Sequence, residues 1–180
     1  ASSYGIMYSP KYRRVFVPIC TLSGKHTGWI ARALHGERPK YIIRSNDPSV
    51  VFRSDDRLLL PGRDTLRYDI VVTEDALSAI RVGRLVPARA LLGTTARDKE
   101  LEIFSGLDPS GLRVGVWLDG DKAGRKGREN VVRKLSLMGA SVERINTPRD
   151  PKKYSNREIR RILSARSSVT KVDEAPERFQ

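Results

Sequence analysis

Short apolar runs alternate with segments of helical spacing through the middle of this chain. Strand-like runs lie at 68–72, 88–92, 113–118 and 141–145, and the first of them is apolar except for Asp69. Segments with the apolar spacing of a helix lie between them, at 75–82, 97–104 and 123–138. Buried strands that alternate with helices predict a mainly parallel sheet with helices on both faces. The pattern therefore predicts an α/β fold for this part of the chain.

The beginning of the chain has a different pattern. Two strand-like runs at 14–20 and 28–34 predict a hairpin, and 39–44 predicts a third strand. No helical spacing interrupts them, so we predict a β-rich, basic subdomain over 1–66.

The change of pattern near residue 67 divides the chain. Residues 67–150 carry the alternating strands and helices, and 151–180 carry a predicted basic helix at 155–166 followed by a polar tail. We therefore predict an α/β domain at 67–150 between a small β-rich subdomain and a C-terminal helix with its tail.

Charge adds a prediction about partners. The chain has 34 Lys and Arg against 21 Asp and Glu, a net charge of +13. Such an excess is typical of proteins that bind polyanions, because neutralising phosphates releases counterions. No apolar stretch is long enough to cross a bilayer, so we expect no membrane association. A single cysteine, Cys20, permits no internal disulfide. We expect a cytoplasmic protein.

Carboxylates follow three of the predicted strands. Glu74 comes after 68–72, Asp119 and Asp121 after 113–118, and Asp150 shortly after 141–145. Parallel strands bring these ends to one edge of the sheet, where ligands of open α/β folds collect. Hard carboxylate oxygens are what Mg²⁺ prefers, and phosphoryl transfer needs such a cation beside the phosphate. The spacing predicts a site for Mg²⁺ or Mn²⁺.

The motifs around these acids resemble a known family. Ile-Val-Val-Thr-Glu at 70–74, followed by Trp-Leu-Asp-Gly-Asp-Lys-Ala-Gly at 117–124, is similar to the Toprim domain of primases, topoisomerases and some nucleases. The resemblance implies that Glu74, Asp119 and Asp121 are catalytic residues and metal ligands. The Asp150-Pro151 pair resembles a later primase motif and implies that Asp150 is a further ligand.

The N-terminal segment resembles the basic subdomain that precedes Toprim in bacterial and phage primases. The similar motifs are an apolar strand ending at Phe16-Val17-Pro18-Ile19, a Gly-x-x-x-Arg strand at 28–32 and Pro39-Lys40-Tyr41. This resemblance implies that Arg32 and Lys40 contact template or nucleotide phosphates, with Arg44 and Arg53 as weaker candidates. Lys122 begins a basic run beside the acidic turn and is either a phosphate contact or part of a basic helix face.

The sequence departs from the primase pattern at the acidic positions. Asp75 and Ser78 stand where primases have Gly and Asp, and Lys152 replaces the second acid of Asp-Pro-Asp. Asp75 is a helix cap or a metal contact. Fewer carboxylates should weaken the binding of additional metal ions. A Cys-rich zinc module and a helicase domain are absent from these 180 residues.

Three functions remain open. The first is a primase core that synthesises RNA primers on single-stranded DNA from nucleoside triphosphates, with a replicative helicase or a separate zinc-binding module as partner. The second is a Toprim nuclease. The third is a degenerate primase that binds nucleic acid or replication proteins without catalysis.

Overall fold

The computed structural model of the protein describes residues 5–20, 26–45, 52–53, 66–93 and 111–164. Within these ranges the chain forms two β-sheets and three α-helices. None of the helices in the described ranges has the length and apolar character needed to span a bilayer.

The first sheet is antiparallel and contains the N-terminal strands in chain order. Its strands are β1 (Met7–Ser9), β2 (Arg14–Cys20), β3 (His26–Ala33) and β4 (Tyr41–Ser45). Strands β2 and β3 pair antiparallel, as the predicted hairpin requires, and β4 adds the predicted third strand. The β-rich N-terminal segment predicted from the sequence is therefore confirmed, and its sheet is antiparallel.

The second sheet carries the alternating strands of the α/β segment. It consists of β5 (Phe52–Arg53), β6 (Ile70–Thr73), β7 (Ala88–Ala90), β8 (Arg113–Trp117) and β9 (Ser141–Arg144). The spatial order is β5-β7-β6-β8-β9, and all neighbours pair parallel except β5, which is antiparallel to β7. The mainly parallel sheet is confirmed. Its antiparallel edge strand comes from the segment assigned to the first subdomain.

Three helices cover this sheet. They are α1 (Ala76–Val82), α2 (Lys122–Leu137) and α3 (Asn156–Ser164). Each matches a helix predicted from apolar spacing, with ends that differ by a residue or two. The predicted helix at 97–104 lies outside the described residues, as do the tail and residues 21–25.

The core has two parts, one on each face of the parallel sheet. Side chains alternate between the faces of a strand, so Ile70 and Val72 of β6 face α2 while Val71 faces α1. The N-terminal sheet packs on the α1 face through Val17 and Ile30. One continuous apolar cluster therefore joins the two sheets, and it fixes the N-terminal sheet beside α1.

Candidate functional site

The acidic residues predicted from the sequence lie at one edge of the parallel sheet. Strands β6 and β8 are hydrogen-bonded neighbours, with Thr73 opposite Trp117 at their carboxyl ends. Glu74 follows the first strand directly, and Asp119 follows the second after one residue. Asp150 lies in the segment after β9, which pairs parallel with β8. The parallel register thus brings these strand ends together.

The turn that carries Asp119 is tightly packed against the start of α2. Asp121 is the N-cap of this helix, and its Oδ1 accepts a hydrogen bond of 2.7 Å from the Gly124 backbone N–H. A Cβ atom at Gly124 would lie 2.1 Å from the carbonyl oxygen of Asp119. Arg125 also holds the turn, through a 2.5 Å hydrogen bond from Nη1 to the Gly120 carbonyl. Glycine at 124 is therefore required for this close approach.

Glu74 and Asp119 form the least compensated part of the site. Oε2 of Glu74 and Oδ1 of Asp119 are buried and, within the described part of the chain, have no hydrogen-bond partner. Burial, together with the charges of Asp119 and Asp121, raises the pKa of Glu74 to about 7. Burial also raises the pKa of Asp119. The negative charge of this pair is therefore poorly compensated, and either a proton or a cation bound between the two carboxylates would stabilise it.

Asp75 is a helix cap whose oxygens are occupied by protein donors. Its Oδ1 accepts hydrogen bonds from the backbone N–H groups of Leu77 (2.9 Å) and Ser78 (3.1 Å). Its Oδ2 accepts a further bond of 3.0 Å from the Ser78 hydroxyl. The structure thus supports the capping interpretation of Asp75, and Ser78 completes the cap.

Lys152 lies among the carboxylates. Its Nζ is 2.6 Å from Oδ2 of Asp75, 3.4 Å from Oδ2 of Asp150 and 3.6 Å from Oδ2 of Asp119. Desolvation lowers the pKa of Lys152, but the hydrogen bond to Asp75 and the three negative charges outweigh it, so the pKa lies above its usual range. The ammonium is therefore charged and forms ion pairs with three carboxylates.

Asp150 is compensated from two sides. Lys153 pairs with the same Oδ2 at 3.0 Å, and Lys152 approaches it from within the site. Burial raises the pKa of Asp150, yet the lysine hydrogen bonds and charges together bring it below its usual range. Burial, with the charges of Asp150 and Asp75, shifts the pKa of Asp119 in the opposite direction. The two acids that share Lys152 thus differ in how well they are neutralised.

The segment that carries Lys152 is fixed by packing. It forms a 3₁₀ turn at Pro151–Lys153, followed by Tyr154, which is buried in the core beside Trp117. Arg81 of α1 donates a 2.7 Å hydrogen bond from Nε to the Tyr154 carbonyl. The position of the ammonium is therefore set by the core and by α1.

The N-terminal sheet places basic residues next to the acids. Arg32 Nη1 donates a hydrogen bond to the hydroxyl of Tyr41, and its guanidinium carbon lies 5.2 Å from the centre of that ring. The Nζ of Lys40 lies 5.8 Å from the same centre. Burial, followed by the charge of Asp75, raises the pKa of Tyr41, which shows that this phenol lies within electrostatic reach of the acidic cluster. Arg32 and Lys40 thus adjoin the site.

The remaining basic candidates have different positions. Arg44 is exposed and pairs in register with Trp29, on the face of the first sheet opposite to Ile30 and Arg32. Lys122 is exposed at the first turn of α2. Arg53 lies in β5, and only its backbone is described. Of the predicted basic residues, Arg32 and Lys40 are the ones that the structure brings to Tyr41.

An open cleft adjoins Arg32 on the N-terminal sheet. Its volume is about 940 Å³, and it runs along the connection from β3 to β4. Arg38 and Lys40 line it together with Glu37. The cleft thus presents mainly positive charge next to Arg32.

The donor set fits a cation held by few protein ligands. Among the described residues, no three His, Cys, Asp or Glu side chains converge closely enough to enclose a metal ion. Mg²⁺ is usually bound through one or two carboxylates, with water and substrate phosphate completing its shell. The unpartnered oxygens of Glu74 and Asp119 suit that mode.

Sequence reasoning missed two functional positions. Lys152 was interpreted only as a lost acid, although a lysine placed next to Asp150 could have suggested an internal ion pair. The Pro39-Lys40-Tyr41 motif implies no role for Tyr41, because the contact of Tyr41 with Arg32 depends on a cross-strand register that the sequence pattern does not fix.

Comparisons with known proteins agree with the Toprim resemblance. The chain is 28% identical to a DNA primase of Synechococcus elongatus over 134 residues, covering 69% of this chain and 19% of that protein. It thus spans about a fifth of that relative. No family model matches the chain.

Solved primase structures share the fold. The zinc-binding and RNA polymerase domains of Aquifex aeolicus primase match with a TM-score of 0.67 and 22% identity, covering 91% of this chain and 43% of that one. A DnaG primase catalytic domain bound to single-stranded DNA matches with a TM-score of 0.61 and 19% identity, covering 83% and 49%. This chain therefore has the fold of a DnaG-type primase catalytic core and a sequence similar to a DNA primase, which confirms the resemblance first carried by the Toprim motifs.

Proposed function

We propose that this chain is the core of a primase-like, Mg²⁺-dependent nucleotidyltransferase that synthesises RNA primers on single-stranded DNA. The observation that carries the proposal is the buried Glu74–Asp119 pair. At the carboxyl edge of a parallel sheet, two buried carboxylate oxygens have no hydrogen-bond partner among the described residues. The primase-like fold and the sequence similarity support the same reaction.

The residues divide into three roles under this proposal. Glu74 and Asp119 hold the cation, and Asp121 both caps α2 and contributes negative charge to Glu74. Mg²⁺ bound there would neutralise charge on the transferring phosphate. Arg32 and Lys40 bind and orient phosphates of the template or the nucleotide, since both cations stand beside the site on Tyr41. Asp150 supports the site through its ion pairs with Lys152 and Lys153.

The partners follow from this reaction. The template is single-stranded DNA and the substrates are nucleoside triphosphates, consistent with the high positive charge of the chain. A solved relative of the same fold was captured with single-stranded DNA. A zinc-binding module that selects start sites, or a replicative helicase, would act with this core, and primer synthesis would place it in the cytoplasm of a bacterium or a phage-infected cell.

Incorporation of labelled ribonucleotides on a circular single-stranded DNA template tests the proposal. We expect short RNA products that require Mg²⁺ or Mn²⁺ and that disappear with Asp119→Asn. A matched control is Asp69→Asn, since Asp69 pairs with Arg113 at the opposite end of the same two strands. That variant should lose some stability and keep the products. No product from the intact chain, with a zinc-module protein supplied in trans, would contradict the proposal.

The same reactions separate the two alternatives. Cleavage of the labelled DNA without added nucleotides would indicate a Toprim nuclease. The non-catalytic alternative is favoured by one observation, the ammonium of Lys152 among the acids. Its signature would be salt-sensitive DNA binding that chelation of divalent cations leaves unchanged.

A further inference from the structure

We infer that the ammonium of Lys152 occupies the place of a second divalent cation, so that this site takes one metal ion at Glu74 and Asp119. The inference rests on the proposed metal dependence and adds to it the number of ions and their location.

The first support is the position of the nitrogen. Oδ2 atoms of Asp75, Asp119 and Asp150 all lie within 3.6 Å of Nζ. A divalent ion bridging these oxygens would need the same central point, because Mg–O distances are about 2.0–2.1 Å. The lysine and such an ion exclude each other.

The second support is the set of protein donors that hydrogen-bond to the carboxylate of Asp75. Both of its oxygens accept hydrogen bonds from protein donors, and the Ser78 hydroxyl and the Lys152 ammonium share Oδ2. Ser78 and Lys152 are the two residues that stand where the primase pattern has an acid. Both side chains donate a hydrogen bond to Oδ2 of Asp75. At each of the two positions, a hydrogen-bond donor therefore replaces an acid.

The third support is the contrast across Asp119. Its Oδ2 is 3.6 Å from the ammonium, whereas its Oδ1 is buried and, in the part of the chain that the structure describes, accepts no hydrogen bond. Oε2 of Glu74 is likewise buried and has no hydrogen-bond partner among the described residues. The Lys152 side of the cluster is therefore already neutralised, and the Glu74 side still needs positive charge.

The lysine is held in this place by its surroundings. Its side chain is only 17% exposed, and the 3₁₀ turn that carries it is anchored by the buried Tyr154 and by Arg81. Neighbouring Lys153 differs in this respect, since its side chain is 59% exposed and, within the described ranges, forms an ion pair with Asp150 only. This difference makes Lys153 a matched control.

Counting bound Mn²⁺ tests the inference. The free ion is followed by its electron paramagnetic resonance signal during titration at pH 8. We expect one site in the unaltered chain and two in the double variant Ser78→Asp with Lys152→Asp. Lys153→Asp, which makes the same change of charge as Lys152→Asp alone but one residue away, should keep one site.

Lys152→Met gives a second measurement if the double variant does not fold. Removal of the ammonium takes away the positive charge that Asp75, Asp119 and Asp150 share, and the count should again increase from one to two. Two sites in the unaltered chain would overturn the inference and leave the proposed metal dependence intact. One site in every variant, or two in Lys153→Asp, would also overturn it. No site in any of the proteins would overturn the inference and the metal dependence together.

Discussion

At the scale of single residues, the acids of this site differ in what compensates them. Asp121 caps α2, and Asp75 caps α1 and binds Lys152. Asp150 pairs with two lysines, while Glu74 and Asp119 keep unpartnered buried oxygens. The sequence could predict that carboxylates gather at these strand ends, because strand polarity determines that. It could not predict which oxygens protein donors would occupy, because this depends on turn geometry.

Glu74 should make the stability of the metal-free protein depend on pH. Its pKa is about 7 in the folded chain and near 4.5 when unfolded, so only the folded form holds this proton between those values. The free energy of unfolding should therefore decrease as the pH rises from 4.5 to 7. Carboxyl groups with lowered pKa values, such as Asp69 and Glu129, oppose this trend only at lower pH.

Urea denaturation at pH 5 and pH 8 in a chelator measures the effect. The unaltered chain should lose about 1–2 kcal/mol more than Glu74→Gln over this interval, once the solvent screening of a half-buried side chain is allowed for. Comparing the two proteins cancels the titration of groups far from the site. Equal losses in both would show that Glu74 is not held beside uncompensated negative charge.

At the scale of elements, the start of α2 determines where Asp119 lies. The turn from β8 into this helix brings the backbone of Asp119 against Gly124, with the Asp121 cap between them. The apolar run at 113–118, the Asp-Gly-Asp turn and the helical spacing at 123–138 predicted a strand, a turn and a helix, and the structure confirms all three. The sequence did not predict β5, since a two-residue edge strand has no periodicity to detect.

Gly124→Ala should disturb the acidic turn. A Cβ atom would meet the Asp119 carbonyl at 2.1 Å, so the turn or the helix must move. We expect a loss of about 1–3 kcal/mol in the free energy of unfolding, in place of the gain that alanine usually brings to a helix. Binding of Mn²⁺ should weaken as well.

Gly93→Ala is the control for this substitution. A Cβ atom there meets no atom of the described residues within 4 Å, and Gly93 does not have a positive φ. Thermal unfolding and Mn²⁺ titration of both variants provide the comparison. A Gly124→Ala protein as stable as Gly93→Ala would refute the close packing of helix and turn.

At the scale of the whole molecule, the apolar cluster between the sheets determines which basic residues reach the site. Val17 and Ile30 dock the first sheet on the α1 face, and this places Arg32 and Tyr41 beside the acids. Arg44 belongs to the opposite face. The sequence predicted both arginines as nucleic-acid contacts. The sequence could not predict that only Arg32 faces the acids, because local periodicity does not determine how one sheet packs on another.

Arg32 and Arg44 should therefore differ in their contribution to DNA binding. We expect Arg32→Ala to weaken binding of single-stranded DNA and to reduce the slope of log affinity against log salt by about 0.7, the value for one phosphate contact to a single strand. Arg44→Ala removes the same charge from the adjacent strand and should leave that slope nearly unchanged. Fluorescence anisotropy over a salt series measures both, and equal slopes would contradict the assigned orientation of the sheet.

The anomalous scattering of Mn²⁺ in crystals of the protein tests the central claim most directly, because it locates the ion. The account predicts a single strong peak in contact with Glu74 Oε2 and Asp119 Oδ1, with the Lys152 ammonium still bound to Asp75. Absence of a peak at these two oxygens, or a peak between Asp75 and Asp150 with Lys152 displaced, would contradict it.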